Sequence, residues 1–486
     1  MSAIQSIKDE INRLVTTNTV YNENQARWKY LLESYLGGAN YTDGNHLTRY
    51  QLETAAEYTL RNRNTPLDNH CQSVVNVYNS FLFRTNPHRE LGRLDDLPEM
   101  TEFLKDADKD GRSFNNFMKD VATWTSVFGH AFVILTKPNL GALTRAEDIF
   151  MGARPYVNLL TPLAVMDWEF RRSPAGHYTL GYLKYLEDVN GDIQVIKEWT
   201  PDTITTSTFD SERYEIHEQT EEDNQLGLIP AVIAYNKKST FRGLGISDLA
   251  DISDSQRMIF DLTSELIETI RLDSHPSIVA TPDTILGNGA GSVVQIANDL
   301  DAGLKPYLLQ YNGASATSIL DSITHQINAI DKMANTGAVR ATESRKMSGV
   351  AMQTEFELLN ARLSEKGDNL ELAEENIFKL FALYMNTTFN GYIDYPDSFS
   401  IRDVNDEYSQ LNSAREAAGD PRIQAVIDDR IVELLDEDPK EILEGVSFEP
   451  HIMYDAEGNA FIARTGADHI DMGLKGYTHE KPGNDA

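Results

Sequence analysis

Apolar residues recur at helical spacing through the first part of this chain. Ile4, Ile7, Ile11 and Leu14 fall on one helical face. A second helix is predicted over 24–35, carrying Trp28, Tyr30, Leu31 and Leu32, with Gly37-Gly38 as its stop. Residues 40–45 read as a polar loop. Two more helices are predicted, over 65–81 with Val74, Val75, Tyr78 and Phe81, and over 113–128 with Phe114, Phe117, Val121, Trp124 and Val127.

The period then shortens. Residues 131–135 form an apolar run between Gly129 and Pro138, which predicts a strand. Residues 156–160 and 164–168 continue the pattern. Segments 178–185 and 193–199 flank Asn190-Gly191, a hairpin signal. With 203–209 and 228–235 they predict a mainly antiparallel β region over about 130–236.

Helical spacing returns after the Gly243-Leu-Gly245 turn. A long helix is predicted over 247–273, with Leu249, Ile252, Ile259, Leu262, Leu266 and Ile270 on one side. Short strands and turns follow over 275–316. A second amphipathic helix, 317–335, carries Leu320, Ile323, Ile327, Ile330 and Met333. A cationic loop, 336–349, contains Arg340, Arg345 and Lys346. The longest helical pattern runs from 350 to about 385. Two acidic helices are predicted over 405–445, split by Gly419-Asp420-Pro421, and a hairpin around Glu457-Gly458. The pattern gives an α+β chain with no repeat at solenoid periods.

Composition narrows the function. With 486 residues the chain has room for two to four domains. A net charge of −32 argues against a protein that grips DNA, because grip comes from Lys and Arg on phosphates. It suits either a wall past which DNA slides or plain solubility, including a salt-rich source. Cys71 is the only cysteine, so no intrachain disulfide and no Cys-based zinc cluster can form. A reducing cytosol, or a particle assembled there, fits that usage. The N-terminal pattern carries Asp9 and Glu10 and reads as an amphipathic helix rather than a signal peptide. No apolar run approaches the length of a membrane span.

Candidate chemistry is thin. Asp106-Ala-Asp108-Lys-Asp110-Gly111 opens like a calcium loop, but its twelfth position is Phe117, where a bidentate Glu is required. It reads as a polar turn whose aspartates cap the next helix. Gly287–Gly291 lacks the Gly-Lys-Ser/Thr of a phosphate loop, so no ATP hydrolysis is expected. His130 reads as a packed or surface histidine and Cys71 as a structural thiol. Asp428-Asp429 and Asp436 with Asp438 are chance pairs in an acidic chain. No catalytic residue, metal ligand or cofactor is expected.

Many weak local patterns, in a fixed order, resemble the portal proteins of tailed bacteriophages. They are Tyr58-Thr-Leu-Arg61, Leu67-Asp-Asn69, Val74-Val75-Asn-Val-Tyr78, and Phe81-Leu-Phe83-Arg84 with Pro87. Asp110-Gly111-Arg-Ser113 leads on to Val127-Phe128-Gly129-His-Ala131. Arg154-Pro-Tyr156, Leu163 and Val165-Met-Asp167-Trp168 follow. Then come Ile229-Pro230, Tyr235-Asn236, Gly245-Ile-Ser247-Asp248-Leu249, and Asp251-Ile252 with Gln256. Met347-Ser348-Gly349-Val350-Ala351 completes the series. The likeness covers about residues 20–390.

The resemblance implies a wing over 1–240, a first stem helix over 241–274 and a clip over 275–316. It further implies a second stem helix over 317–335, a channel loop over 336–349, a long tunnel-side helix over 350–399 and a crown over 400–486. It implies a twelve-subunit ring at one capsid vertex, assembled in the host cytoplasm, through which double-stranded DNA is packaged and later ejected. The implied partners are further copies of the chain, a terminase motor, a head-to-tail adaptor or tail protein, a capsid or scaffold protein, and DNA in passing. No membrane is implied. Arg340, Arg345 and Lys346 would face the channel. Two other readings stand beside this one: another oligomeric virion part of the tail or baseplate, and an acidic metal-dependent hydrolase.

Overall fold

A computed structural model describes residues 3–138, 140–141, 144–274, 277–282, 305–309, 314–340, 349–396 and 399, with positions 284, 295–296 and 301 between them. Beyond 400 it describes 411–415, 417, 423–424, 427, 431, 451–455, 459–463, 472, 475 and 477. The chain divides into two compact units, Met1–Phe399 and Ser400–Ala486.

The first unit is mixed helix and sheet. Its helices are α1 (Ala3–Val15), α2 (Thr19–Leu36), α3 (Gly38–Asp43), α4 (Ala55–Asn64), α5 (His70–Leu82), α6 (Pro98–Lys105), α7 (Phe114–Phe128), α8 (Arg145–Phe150), α9 (Ile252–Ser274), α10 (Ala314–Ala334), α11 (Gly337–Arg340) and α12 (Gly349–Tyr384). Side-chain caps set several starts: Asn18 accepts from Val20 N–H, Asn69 from Gln72 and Ser113 from Asn116.

Strands β1 (His88–Glu90), β2 (His130–Thr136), β3 (Tyr156–Leu160), β4 (Val165–Arg172), β5 (Tyr178–Asn190), β6 (Ile193–Trp199), β7 (Thr203–Asp210), β8 (Glu215–Asp223), β9 (Ala231–Tyr235), β10 (Ser277–Val279), β11 (Tyr307–Leu309) and β12 (Tyr392–Asp394) complete the unit. All described pairings are antiparallel. One sheet runs β3-β2-β9, another β4-β5-β6-β7-β8, and β1-β12 and β10-β11 are two-stranded.

The core sits where α7, α12 and the β3-β2-β9 sheet meet. Residues 130–135 of β2 are buried without alternation because both faces are covered. On α12 the buried positions Leu359, Leu363, Leu370, Ala373, Ile377 and Phe381 form one stripe against it. Phe114 and Phe378 meet at 5.0 Å, as do Phe103 and Phe381. A satellite core of Ile11, Leu14, Ile196 and Phe209 fixes α1 on the five-stranded sheet.

Several expectations need correction. The segment 40–45 is largely helical: α3 buries Tyr41 edge-on to Phe260 at 5.2 Å, and its own polarity hid this. The helix expected over 65–81 starts at His70, and a separate helix, α4, precedes it. Thr54 and Glu57 close a capping box there, a signal present in the sequence. The first long amphipathic helix starts at Ile252, not 247, so Leu249 lies in the turn before it. The segment 336–349 is not all loop, since 337–340 is helical. Strand β8 was invisible because it is solvated and acidic, with only Ile216 turned toward the satellite core.

In the second unit β13 (His451–Tyr454) and β14 (Ala460–Ala463) form the hairpin expected around 457–458. Residues 411–415 are helical; most of the two expected acidic helices lies outside the described residues.

Two glycines let separate segments touch through backbone. Gly129 ends α7 at φ 90°, and a Cβ on Gly245 would lie 1.9 Å from the Gly129 carbonyl oxygen. Gly245→Ala must push the turn off α7. It is expected to lower stability by about 1–3 kcal/mol, read as a drop in denaturation midpoint.

Candidate functional site

The two long amphipathic helices form a hairpin. α9 and α10 pack together, and the β10-β11 ribbon closes their far end. Burial falls off along them. Leu249, Ile252 and Ile259 are buried at the base, as is Ile330 near the end of α10. Leu262, Leu266, Ile323 and Ile327 are half-buried. Toward the tip the apolar side chains emerge, with Ile270 and Leu320 each 50% exposed and Tyr307 55%. The apolar stripe read from spacing thus serves two environments: the chain's own core at the base and an open surface at the tip.

The N-terminal helices clasp the base of α9 with polar bonds. Arg27 pairs with Asp254 at 3.0 Å. Arg257 donates to the His46 carbonyl at 2.8 Å, and Asp261 accepts from Thr48 N–H and hydroxyl, both at 2.7 Å. The buried Arg61 holds Glu53 with two bonds and reaches Ser264 at 2.9 Å. Gln256 donates to the Ser34 carbonyl and accepts from Cys71 N–H. Positions 254, 257, 261 and 264 recur at three- and four-residue steps, so they line one face of α9, with Gln256 beside it.

A buried ion cluster joins this base to the rest of the unit. Asp248, on the turn before α9, pairs with Lys366 at 2.6 Å and Arg362 at 2.8 Å, both from α12. Asn236, just after β9, donates to Asp248 at 2.9 Å and accepts from Lys366. Lys366 also donates to the Ser126 hydroxyl at 2.9 Å, on α7. Arg362 donates to the Met333 carbonyl at 3.0 Å, and Tyr78 on α5 donates to the Ala334 carbonyl at 2.6 Å. Both cations lie over the Tyr78 ring. Burial pushes the Asp248 carboxyl up, but the Lys366 and Arg362 charges outweigh it and hold it below the usual range. Burial draws the Lys366 ammonium down.

Arg340 lies beside this cluster. Its guanidinium is 2.9 Å from Asp331, on α10, and 2.6 Å from His70 Nδ1, at the start of α5. It is half-buried and tied to the end of α10. Arg345 and Lys346 lie outside the described residues.

The remaining candidates resolve into structure. Asp106 and Asp108 accept from N–H groups of their own loop, including Gly111 at 2.8 Å, and Asp106 also pairs with Arg154 at 2.8 Å. Ser113, not an aspartate, caps α7. His130 is buried against Trp28 and Phe132, and its Nδ1 accepts from Gly245 N–H at 3.3 Å. Burial pulls its pKa down to about 3. Cys71 is buried, which pushes its thiol up. Asp210, Glu215 and His217 bring donor atoms within 4.8 Å of one another at the β7–β8 turn, where Asp210 accepts from the N–H groups of Glu212 and Arg213. Residues 287–291 and the pairs at 428–429 and 436–438 lie outside the described residues.

Sequence spacing missed the ion cluster. Its signal was available: Arg362 and Lys366 stand four apart on α12, and Lys366 falls within the Leu359–Leu363–Leu370 stripe, where a cation demands a buried partner.

A hairpin of long helices is thus anchored at one end in an α+β body and apolar at the other. The family model described as "Phage portal protein, SPP1 Gp6-like" matches residues 10–410. The chain belongs to this phage portal protein family, a structural one, and is a portal or connector component of a phage-like particle. No curated protein matches it. Among solved structures it is similar to a chain in the neck of an empty GTA particle computed with C6 symmetry, at 9% identity and TM-score 0.43, covering 81% of this chain and 99% of that one. It is also similar to a chain in the virion of a native gene transfer agent particle, at 10% identity and TM-score 0.41, covering 74% and 89%. A chain in the neck of a native GTA particle computed with C12 symmetry shows 9% identity and TM-score 0.42, covering 74% and 89%. Among the described residues no helix is long and apolar enough to cross a membrane.

Removing Asp248 leaves the buried Lys366 beside the partly exposed Arg362 with no counter-charge. Asp248→Ala is expected to cost about 3–5 kcal/mol in chemical denaturation. Acid should act earlier through His130. Its native pKa lies near 3, so below about pH 6.5 the unfolded chain takes up a proton that the native chain refuses. Stability therefore falls as pH drops from about 6.5, by up to about 1.4 kcal/mol per unit. His70, also drawn down by burial, adds to the loss. A pH series of denaturation midpoints reads the slope, and His130→Gln should reduce it.

Proposed function

We propose that the chain forms a closed ring at the unique capsid vertex. Double-stranded DNA enters through its channel, driven by a terminase motor, and leaves through it at ejection. The same ring is the platform on which the tail or adaptor docks. The observation that carries this reading is the α9–α10 hairpin, whose base is locked into the body while its apolar tip lies open. Neighbouring hairpins packed side by side would cover those tips.

In this reading residues 1–240 are the wing, 241–274 and 317–335 the stem, and 275–316 the clip that meets motor and adaptor. Residues 336–349 are the channel loop, 350–399 the long tunnel-side helix and 400–486 the crown facing the capsid interior. Arg345 and Lys346 approach DNA from the channel loop, while Arg340 anchors that loop to the stem through Asp331. The net charge of −32 per chain, multiplied around a ring, favours walls that do not trap phosphate.

The test is mass and shape in solution. About twelve copies of a 54.6 kDa chain give a particle on the order of 650 kDa with an axial hole. Light scattering and negative-stain images should find it. Ile267→Glu with Leu320→Glu, both exposed in the single chain, should leave the monomer folded and abolish the large species. A compact dimer that persists at all concentrations, or an unchanged ring from the double variant, overturns the reading.

A further inference from the structure

The five-stranded sheet is electrically polar from edge to edge. Its last strand, β8, is a free edge among the described residues. That strand reads EIHEQTEED, with five acids in nine residues and no Lys or Arg. At the opposite edge, β4 ends in Arg171-Arg172. Arg242, from the turn before the stem, joins them: its guanidinium lies 3.6 Å from the centre of the Tyr178 ring, with Arg172 over the same ring at 5.5 Å. All three arginines are exposed, and neither Arg172 nor Arg242 has a carboxylate partner among the described residues. Two unpaired cations on one aromatic ring are unusual company in a chain of net charge −32.

Strand register puts the two patches at the same end of the sheet. Trp168 pairs with Leu183, Leu183 with Trp199, Trp199 with Ile204 and Ile204 with Glu222, which makes one row across all five strands. Arg172 lies beyond that row on β4, and Glu221, Glu222 and Asp223 sit at its other terminus. Arg172 stands four residues beyond the row on β4, about 13 Å along the strand, while Asp167 and Glu169 flank Trp168 on the row itself, so a neighbouring copy shifted along the strands by that step sets acid against base. Two β8 edges cannot meet each other, since like charges would stand opposite.

We propose that the wing sheets of adjacent copies meet head to tail, the acidic β8 edge of one against the Arg172–Arg242 edge of the next. The occupant of each edge is a second copy of this chain. Such a contact is heterologous, the type that closes into a ring when the rotation fits. The inference rests on the ring reading and adds which surfaces join and in which sense.

Charge swapping tests it. Four proteins are compared by sedimentation across a concentration series: wild type, E221K/E222K, R172E/R242E, and the variant with all four changes. Each altered side chain is exposed, and circular dichroism checks that each protein folds. Either double variant should raise the concentration for half-assembly by roughly tenfold or more, and combining them should restore most of it. High salt should weaken the wild type in the same direction. A wild-type chain that stays monomeric throughout sinks the ring itself. A wild-type ring that both double variants reproduce unchanged sinks only this contact. A short DNA duplex serves as the rival ligand. Binding lost in R172E/R242E, with assembly intact, makes the arginine edge a phosphate site and overturns the proposal.

Discussion

The ion cluster around Asp248 is the constraint on which the rest of the unit depends. One carboxylate, buried with two cations and one amide, ties five segments: α5, α7, the end of β9, the turn before α9, and α12. A buried ion pair often adds little net stability over an apolar contact, because desolvation cancels much of the attraction. Its value is geometric. An apolar joint tolerates sliding, whereas a carboxylate that must satisfy Lys366 and Arg362 together accepts one arrangement. The direction in which α9 leaves the body is fixed accordingly.

A second set of ties works at the other helix of the hairpin. Arg362 and Tyr78 take the last carbonyls of α10, and Asp331 near its end holds Arg340. Both helices are therefore anchored at the base and released at the tip. Rigidity at the base and an uncovered apolar surface at the tip are what an assembling subunit needs, because a lever transmits orientation only if its root is stiff.

Much of this was legible from residue spacing. The apolar stripes of α2, α7, α9, α10 and α12, the strands from 130 to 209 and the Asn190-Gly191 hairpin follow from period and turn chemistry. The order of those elements carried the portal resemblance. Three things were not legible. Strand β8 has no apolar alternation and exists because β7 offers it a ladder. Helix α3 is polar except for Tyr41, whose burial depends on Phe260, more than two hundred residues away. The Asp248 cluster draws on residues 126, 236, 248, 362 and 366, and no local pattern links them. Spacing alone marks Leu249 through Ile330 as apolar helix positions, but which of them face the chain's own core follows only from the fold.

The packing of Cys71 has a consequence for how the chain meets oxidants. The sole thiol is sealed between α5 and α9, with its backbone N–H held by Gln256 and its ionisation suppressed by burial. Oxidants and disulfides react with thiolates, and this one is neither formed nor reachable. A change from reducing to oxidising surroundings therefore brings no cross-link and no sulfenic acid to this sulfur while the fold is intact. Redox ageing is closed off by placement, with no need for the residue to be absent.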